Sequence, residues 1–187
     1  FYSEDYHILT ASEEEDQLYS VRNGQTIFRT EHQVATLLEK VCLSPDAQVL
    51  DYGSGKAAML KELYEIRQNM VPFVFDVGEQ YRPYWENFLP SENQAIGELP
   101  SDWEGSMDVV VSFFALEHVA DPRTFADEVH WLLKSDGVFY FLVPNIFTNP
   151  ADFMVADHIN HFSEWSLHRL LADAGFVVQD IDRKAHS

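Results

Sequence analysis

Apolar residues along the chain fall into two alternating patterns. Short, mostly apolar runs occur over residues 47–51, 71–75, 107–113, 138–143 and 176–181. Such runs are typical of strands that are covered on both faces of a parallel sheet. Between the runs, apolar residues recur every three or four positions, which predicts amphipathic helices. This alternation predicts a doubly wound α/β domain with a mostly parallel sheet.

Two helices are predicted in the first part of the domain. Thr30, with Gln33 three residues later, has the form of a capping box at a helix N-terminus. Apolar side chains then follow at helical spacing at Val34, Leu37, Leu38 and Val41. A second helix is predicted through Met59, Leu60, Leu63 and Ile66. A helix or loop rich in aromatic residues follows the second strand.

Two more helices are predicted in the second part. One is expected from Pro122 to Lys134, because Ser135-Asp136-Gly137 is a typical signal for a helix C-terminus. Ser163 is predicted to begin the last helix, and Gly175 lies just past its end. The inner side of that helix is expected to carry Trp165, Leu167, Leu170 and Leu171.

Composition limits the partners of the protein. A chain of 187 residues fits one domain with a substantial core. It carries 31 Asp and Glu against 12 Lys and Arg, a formal charge of −19, and it has no basic stripe. Nucleic acids and anionic membrane surfaces would repel such a protein, so neither is expected as a partner. Cys42 is the single cysteine and no apolar run is long enough to cross a bilayer, so a cytoplasmic protein is expected.

Residues 1–29 are interpreted as a lead-in or lid that precedes a domain over residues 30–187. The acidic run over residues 13–16 is predicted to be a solvated surface. Aromatic and basic side chains of this segment are expected to fold over the cleft, namely Tyr2, Tyr6, Tyr19, Arg22 and Arg29.

The segment Asp51-Tyr52-Gly53-Ser54-Gly55 connects the first strand to the following helix. Its glycines permit close approach of a ligand to the backbone, although a tight turn without a ligand is an equal alternative. A dinucleotide-binding turn would need a third glycine where Ala58 stands, and a phosphate-binding P-loop is absent. An acidic residue before the glycines suits an amino group better than a phosphate.

Two further acidic residues lie where loops leave the sheet. Asp76 ends the second strand, where a carboxylate can accept hydrogen bonds from both hydroxyls of a ribose, or else cap the next helix. Glu98 is placed near an adenine edge, with a solvated loop as the alternative.

Several motifs in a fixed order resemble class I S-adenosylmethionine-dependent methyltransferases. They are Val-Leu-Asp-x-Gly-x-Gly at 49–55, Asp76, Leu-Glu-His-Val-x-Asp-Pro at 116–122, Leu-Lys-x-x-Gly at 133–137 and Pro-Asn at 144–145. Within that class, the chain is similar to the group with ubiquinone-type O-methyltransferases and sugar C-methyltransferases, from about Gln33 to Ile181. The resemblance implies a Rossmann-like sheet, and the family normally adds one more strand after the one predicted over residues 176–181, so an incomplete sheet is expected.

The resemblance also implies S-adenosylmethionine as cofactor and a role for each matching residue. Asp51, Gly53, Ser54 and Gly55 would bind the methionine end of the cofactor. Asp76 would bind the ribose, Glu98 would lie near the adenine, and Phe113 with Ala115 would form the near wall. Some quinone O-methyltransferases bind a metal through Glu-x-x-Glu-His, but Phe114 replaces the first Glu here, so no metal is predicted.

Acceptor chemistry is placed on the histidines that follow the predicted strand over residues 138–143. A methyl acceptor that loses a proton needs a base near neutral pKa, and His158 and His161 are the predicted catalytic residues. A purely structural role and a metal site that includes Asp157 are the alternatives, while His118 is interpreted as structural. The predicted function is methyl transfer to a small molecule such as a sugar or another metabolite. The alternatives are a non-catalytic Rossmann-like binding module and an NAD-type oxidoreductase.

Overall fold

The computed structural model describes residues 16, 18–22 and 25–183. These residues form a β-hairpin of β1 (Leu18–Arg22) and β2 (Gln25–Phe28), followed by a larger sheet flanked by helices. The helices are α1 (Arg29–Lys40), α2 (Ala58–Ile66), α3 (Arg82–Trp85), α4 (Pro122–Leu132) and α5 (Glu164–Asp173). The strands of the larger sheet are β3 (Gln48–Tyr52), β4 (Val71–Asp76), β5 (Gln94–Ile96), β6 (Met107–Phe113) and β7 (Leu133–Leu142). The predicted acidic surface over residues 13–15, together with Tyr2 and Tyr6, lies outside the described residues.

The five strands of the larger sheet are all parallel and follow the order β5-β4-β3-β6-β7. The chain therefore starts in the middle of the sheet, builds outward to β5, and crosses back to β6. Such a reversal opens a crevice beyond the carboxyl ends of the central strands, where ligands bind in doubly wound folds. Here the central strands are β3 and β6.

Apolar side chains cover both faces of this sheet, which confirms the doubly wound prediction. Neighbouring residues of one strand enter different cores: Val49 packs on the face covered by α1 and α2, and Leu50 on the face covered by α4 and α5. Both side chains are fully buried. Burial of each contributes roughly 1.5–3 kcal/mol, so continuous apolar runs are the expected sequence of these strands.

The predicted capping box at the first helix is wrong. The helix begins at Arg29, one residue before the predicted cap, and Phe28 at the N-cap position makes no side-chain hydrogen bond. Instead, the carboxylate of Asp16 accepts from the backbone N–H of Thr30 at 3.1 Å. A residue distant in sequence therefore satisfies the free N–H group that the local motif was expected to satisfy.

The predicted C-terminal signal of the fourth helix is also wrong. The helix ends at Leu132, and the three residues of the signal, 135–137, lie inside strand β7. The backbone is already extended at Leu133, which is paired with Met107 of β6. Lys134 then contacts Asp108 of β6, with 2.7 Å between Nζ and Oδ1. The register between β6 and β7 shifts between Leu133 and Val138, so the signal residues form an irregular part of the strand and not the end of the helix.

Three other predictions need correction. Residues 176–181 form no strand, because within the described chain they have no partner for a hydrogen-bonded ladder. Phe176 packs instead against Phe139, with 5.7 Å between ring centroids. Trp165 is 77% exposed and does not lie on the inner side of α5. Strand β5 was not predicted, because three residues are too few to show a period.

Candidate active site

A cleft of about 1390 Å³ opens beyond the carboxyl ends of β3, β4 and β6. Six of the eight predicted cofactor-binding residues line it, namely Gly53, Ser54, Gly55, Asp76, Phe113 and Ala115. Leu18 and Tyr19 of the hairpin also line it, as do Glu117, His118 and His158 on the opposite side. The fold therefore joins the predicted cofactor residues and part of the predicted acceptor residues in one cavity.

The turn after β3 depends on glycine at position 53. Gly53 has a φ of +78°, and a Cβ placed there would lie 2.6 Å from Cβ of Ala115. The N–H groups of Gly53 and Ser54 both donate to the carbonyl of Phe75, at 2.9 and 3.1 Å. The turn is thus fixed against β4 while the loop after β6 approaches it closely. Any side chain at position 53 would separate the two loops at the point where the strand order reverses.

Gly55 connects this turn to the next strand and to a buried tryptophan. Its N–H donates to Oδ2 of Asp76 at 2.8 Å, and its carbonyl accepts from Nε1 of Trp85 at 2.7 Å. Trp85 is completely buried. Trp85 belongs to the aromatic-rich segment that follows the second predicted strand. No local sequence pattern indicates that its indole donates a hydrogen bond to the glycine turn.

The Asp76 carboxylate lies at the end of β4 and lines the cleft. Besides Gly55, the N–H of Gly78 donates to its Oδ1 at 2.9 Å. Burial raises the pKa of Asp76, and these backbone hydrogen bonds oppose that rise. Since each carboxylate oxygen accepts more than one hydrogen bond, the group retains acceptor capacity toward the cleft.

Asp51 lies behind the glycine turn and is not among the residues that line the cleft. It is 3% exposed. Burial, together with the charge of Asp76, raises the pKa of Asp51 to about 7. Any role of Asp51 toward a ligand in this structure would therefore act through its charge and its support of the turn.

Two predicted site residues lie away from the cleft wall. Glu98 is exposed on the loop after β5, and neither it nor His161 lines the cleft. His161 is close to the second catalytic candidate through Asp152, since its Nδ1 lies 3.7 Å from Oδ2 of that residue. The assignments of Glu98 and His161 remain predictions.

Asp152 is a buried residue of the acceptor region that sequence analysis missed. It is 6% exposed in the short 3₁₀ helix Pro150–Met154. Its Oδ1 lies 2.9 Å from Nδ1 of His158. A lone Asp in a loop without hydrophobic periodicity gives no signal of such a contact.

Glu117 is the other unexpected member of this region. It is 1% exposed, and no other described residue donates a hydrogen bond to either carboxylate oxygen. Burial raises the pKa of Glu117 to about 8, with a further contribution from the charge of Asp152, while the charge of Arg29 acts in the opposite direction. The Arg29 guanidinium lies over the ring of Phe114, 4.2 Å from its centroid.

His118 links the loop after β6 to the loop that contains His158. Its Nδ1 lies 3.0 Å from the carbonyl oxygen of Asp157. The rings of His118 and His158 meet edge to face, with 4.7 Å between their centroids. Burial lowers the pKa of His118, which favours the neutral imidazole.

The sequence model of a family described as a methyltransferase domain matches residues 25–181. The chain belongs to this family. A Mycolicibacterium smegmatis protein named as a probable S-adenosylmethionine-dependent methyltransferase is 35% identical over 94 residues, or 46% of this chain. The chain covers 34% of the length of that relative.

Solved structures of methyltransferases share the fold. One is a Haloferax volcanii methyltransferase in complex with the Trm112 methyltransferase activator, with a TM-score of 0.67 and 22% identity over 81% of this chain and 71% of that one. Another is an Aquifex aeolicus S-adenosylmethionine-dependent methyltransferase, with a TM-score of 0.59 and 21% identity over 79% of this chain and 81% of that one.

The chain thus carries a methyltransferase domain of the class I S-adenosylmethionine-dependent type with a Rossmann-like fold, as its motifs predicted. Membership of this family favours a methyltransferase over both alternatives, the NAD-type oxidoreductase and the non-catalytic binding module. The residues of the cleft suit the cofactor, because Gly53, Ser54 and Gly55 line it without large side chains and Asp76 adds a carboxylate. No helix in the described part of the chain is long and apolar enough to span a membrane.

Proposed function

We propose that this methyltransferase domain acts on a small-molecule acceptor, a sugar or another metabolite, in the cytoplasm. The observation that carries the proposal is one cleft that joins the glycine turn to a buried group of histidines and carboxylates. Its volume of about 1390 Å³ exceeds the roughly 300–1,000 Å³ that is usual for one drug-sized ligand. There is room for the cofactor and a small acceptor together. The formal charge of −19 disfavours a nucleic acid substrate.

The cofactor end of the cleft is assigned to the residues around the glycine turn. Gly53, Ser54 and Gly55 bind the methionine end, supported from behind by the charge of Asp51. Asp76 accepts from the ribose hydroxyls. The remaining assignments are Glu98 near the adenine and Phe113 with Ala115 as the near wall. When bound, S-adenosylmethionine supplies a methyl group on a positively charged sulfur.

The acceptor end is assigned to His158 and His161. His158 lines the cleft, and its Nδ1 lies 2.9 Å from Oδ1 of Asp152 without the geometry of a hydrogen bond. Its imidazole is the proposed base that takes a proton from the acceptor. His161 approaches the same Asp152 carboxylate at 3.7 Å and is the second candidate for proton transfer. Asp152 is proposed to act through its charge, because a carboxylate 2.9 Å from Nδ1 stabilises the imidazolium that forms when His158 takes a proton.

Residues 1–29 are proposed to act as a lid on the domain formed by residues 30–187. Support comes from Leu18 and Tyr19 of the hairpin, which line the cleft. Deletion of residues 1–29 is expected to weaken cofactor or acceptor binding while the sheet stays folded. Titration of the full chain and of the shortened protein with S-adenosylmethionine and with an acceptor tests this. Circular dichroism is the control for folding. Unchanged affinities in the shortened protein would contradict the lid.

The acceptor assignment is tested by measuring S-adenosylhomocysteine formation in the presence of different acceptors. Sugar nucleotides and phenolic metabolites form one panel, and RNA and unfolded protein form the other. Turnover is expected only with members of the first panel. In His158→Gln, kcat is expected to fall about 100-fold or more with unchanged cofactor affinity, because a general base is lost.

His168→Gln is the matched control, because His168 is an exposed histidine of α5. Its kcat is expected to equal that of the wild type. Methylation of RNA or protein without turnover of small molecules would contradict the proposed acceptor class. An unchanged kcat in His158→Gln would contradict the proposed role of His158.

A further inference from the structure

Three potential metal ligands meet at the acceptor end of the cleft. Glu117 and His118 belong to the 3₁₀ turn Leu116–His118 after β6, and His158 comes from the loop that follows β7. One ligand atom from each side chain lies within 4.8 Å of the other two. The fold therefore brings together two imidazoles and a carboxylate from segments about 40 residues apart in the sequence.

One of the two histidines is oriented by a hydrogen bond at Nδ1. Nδ1 of His118 lies 3.0 Å from the Asp157 carbonyl, which leaves Nε2 of His118 as its ligand atom. Nδ1 of His158 lies 2.9 Å from Oδ1 of Asp152 but makes no hydrogen bond, so this buried ring nitrogen is unsatisfied in the structure. A carbonyl or carboxylate on the second ring nitrogen is the usual environment of a metal-binding histidine.

The carboxylate of Glu117 is buried at 1% exposure without a hydrogen bond from any other described residue. A buried carboxylate in this state is unfavourable unless it is protonated or a cation compensates its charge. Asp152 and Asp157 lie close enough to add negative potential at Glu117, whereas Arg29 adds positive potential. Two further carboxylates against one guanidinium leave the surroundings of the cluster net negative.

Asn160 holds the two ligand-bearing segments together. Its backbone N–H donates to the carbonyl of Glu117 at 3.0 Å, and its Nδ2 donates to the carbonyl of Val119 at 2.6 Å. These hydrogen bonds fix the loop of His158 against the turn of Glu117 and His118. The ligands are therefore held near one another before any ion binds, which favours binding.

We propose that Glu117, His118 and His158 form a binding site for a divalent cation of the zinc type. Two imidazole nitrogens and one carboxylate suit Zn²⁺ and neighbouring transition ions, whereas Mg²⁺ prefers oxygen ligands alone. Three protein ligands leave a coordination position open, and all three residues line the cleft. The sequence-based expectation of no metal considered Phe114 in place of a glutamate, and it did not foresee that His158 lies beside Glu117.

The role of the cation rests on the proposed function. An acceptor hydroxyl in the open position would have its pKa lowered by the charge of the cation. The imidazole of His158 would then be a ligand, and His161, the other histidine beside Asp152, would take the acceptor proton. Cation binding itself does not depend on this role and is measured without acceptor or cofactor.

Calorimetric titration of the full chain with Zn²⁺ and with Mg²⁺ tests the site, together with the visible spectrum of the protein after addition of Co²⁺. The variants are Glu117→Gln, His118→Ala and His158→Ala, and His168→Ala is the control for binding by an exposed histidine. We expect one Zn²⁺ per chain in the wild type and in His168→Ala, and no saturable binding of Mg²⁺. Each cluster variant should bind Zn²⁺ at least about tenfold more weakly.

A thermal unfolding scan distinguishes a variant that has lost the metal site from a variant that no longer folds. Zn²⁺ should raise the Tm of the wild type and of His168→Ala, and it should leave the Tm of a folded His158→Ala unchanged. The proposal is overturned if the wild type binds no Zn²⁺, or if the cluster variants bind it as tightly as the wild type does. S-adenosylmethionine titrated in the presence of a chelator reports the cofactor site separately, so failure of the metal site and failure of the methyltransferase assignment are distinguishable.

Discussion

Replacement of Asp51 by Asn should stabilise the protein, and the gain should grow with pH. The Asp51 carboxylate is 3% exposed at the end of β3, and burial with the nearby Asp76 charge raises its pKa to about 7 from an unfolded value of 3.8. Asn has nearly the same shape and no charge. The variant therefore removes the ionisation while it keeps the packing of the turn.

The sign and size of the effect follow from the two pKa values. Below the unfolded value, Asp51 is protonated in both states and contributes no pH dependence. As pH rises above 3.8, the unfolded chain loses the proton first, so the free energy of unfolding of the wild type falls until pH reaches about 7. The full difference corresponds to a penalty of about 4 kcal/mol, and about 2 kcal/mol of it develops between about pH 5.5 and about pH 8.5.

Urea unfolding of wild type and Asp51→Asn at several pH values measures this difference. The free energy of unfolding of the variant minus that of the wild type should increase by about 2 kcal/mol over that range. Asp136→Asn, which changes an exposed residue of β7, is the control and should show no such increase. A difference for Asp51→Asn that stays constant with pH would refute the explanation based on burial.

Two other substitutions test the glycine turn. Gly53→Ala should lower stability by about 1–3 kcal/mol in urea unfolding and weaken S-adenosylmethionine binding, because a Cβ at φ +78° would lie 2.6 Å from Ala115. The control is Gly105→Ala, at φ +57° with no atom within 4 Å of the added Cβ, which should lower stability through backbone strain alone. If Gly53→Ala and Gly105→Ala changed cofactor affinity equally, the role of the close contact between Gly53 and Ala115 would be contradicted. Trp85→Phe should lower stability by about 1–2 kcal/mol through loss of the hydrogen bond to the Gly55 carbonyl, whereas Trp165→Phe, at a position 77% exposed, should be neutral. Equal thermal unfolding curves for the two tryptophan variants would contradict that role of Trp85.

The sequence predicted the central elements well because their side chains are buried on every side. The strand after Pro45 and the helix through Leu60 and Leu63 were predicted to within a residue or two. Buried positions in these elements are apolar, so their spacing in the sequence indicates the type of element. Ser135-Asp136-Gly137 predicted a helix end that is wrong, because these residues are exposed or half-buried and leave no such pattern. The pairs of β7 with β6 at Leu133 and from Val138 onward place them inside the strand.

The cofactor end of the site was more predictable than the acceptor end. Gly53, Ser54 and Gly55 are consecutive, and a strand followed by a helix fixes their place at the edge of the sheet. The contacts of His158 with Asp152 and with Glu117 join irregular loops that carry no periodicity. Such contacts depend on how distant segments pack, and a single sequence gives no measure of that.

Titration of S-adenosylmethionine into wild type and Asp76→Asn tests the central claim most directly. Asp136→Asn is the control, and thermal unfolding shows that each variant is folded. The account predicts saturable binding by the wild type and the control, and binding weaker by tenfold or more, about 1.4 kcal/mol, in Asp76→Asn. Absence of binding by the wild type, or equal affinity in a folded Asp76→Asn, would contradict it.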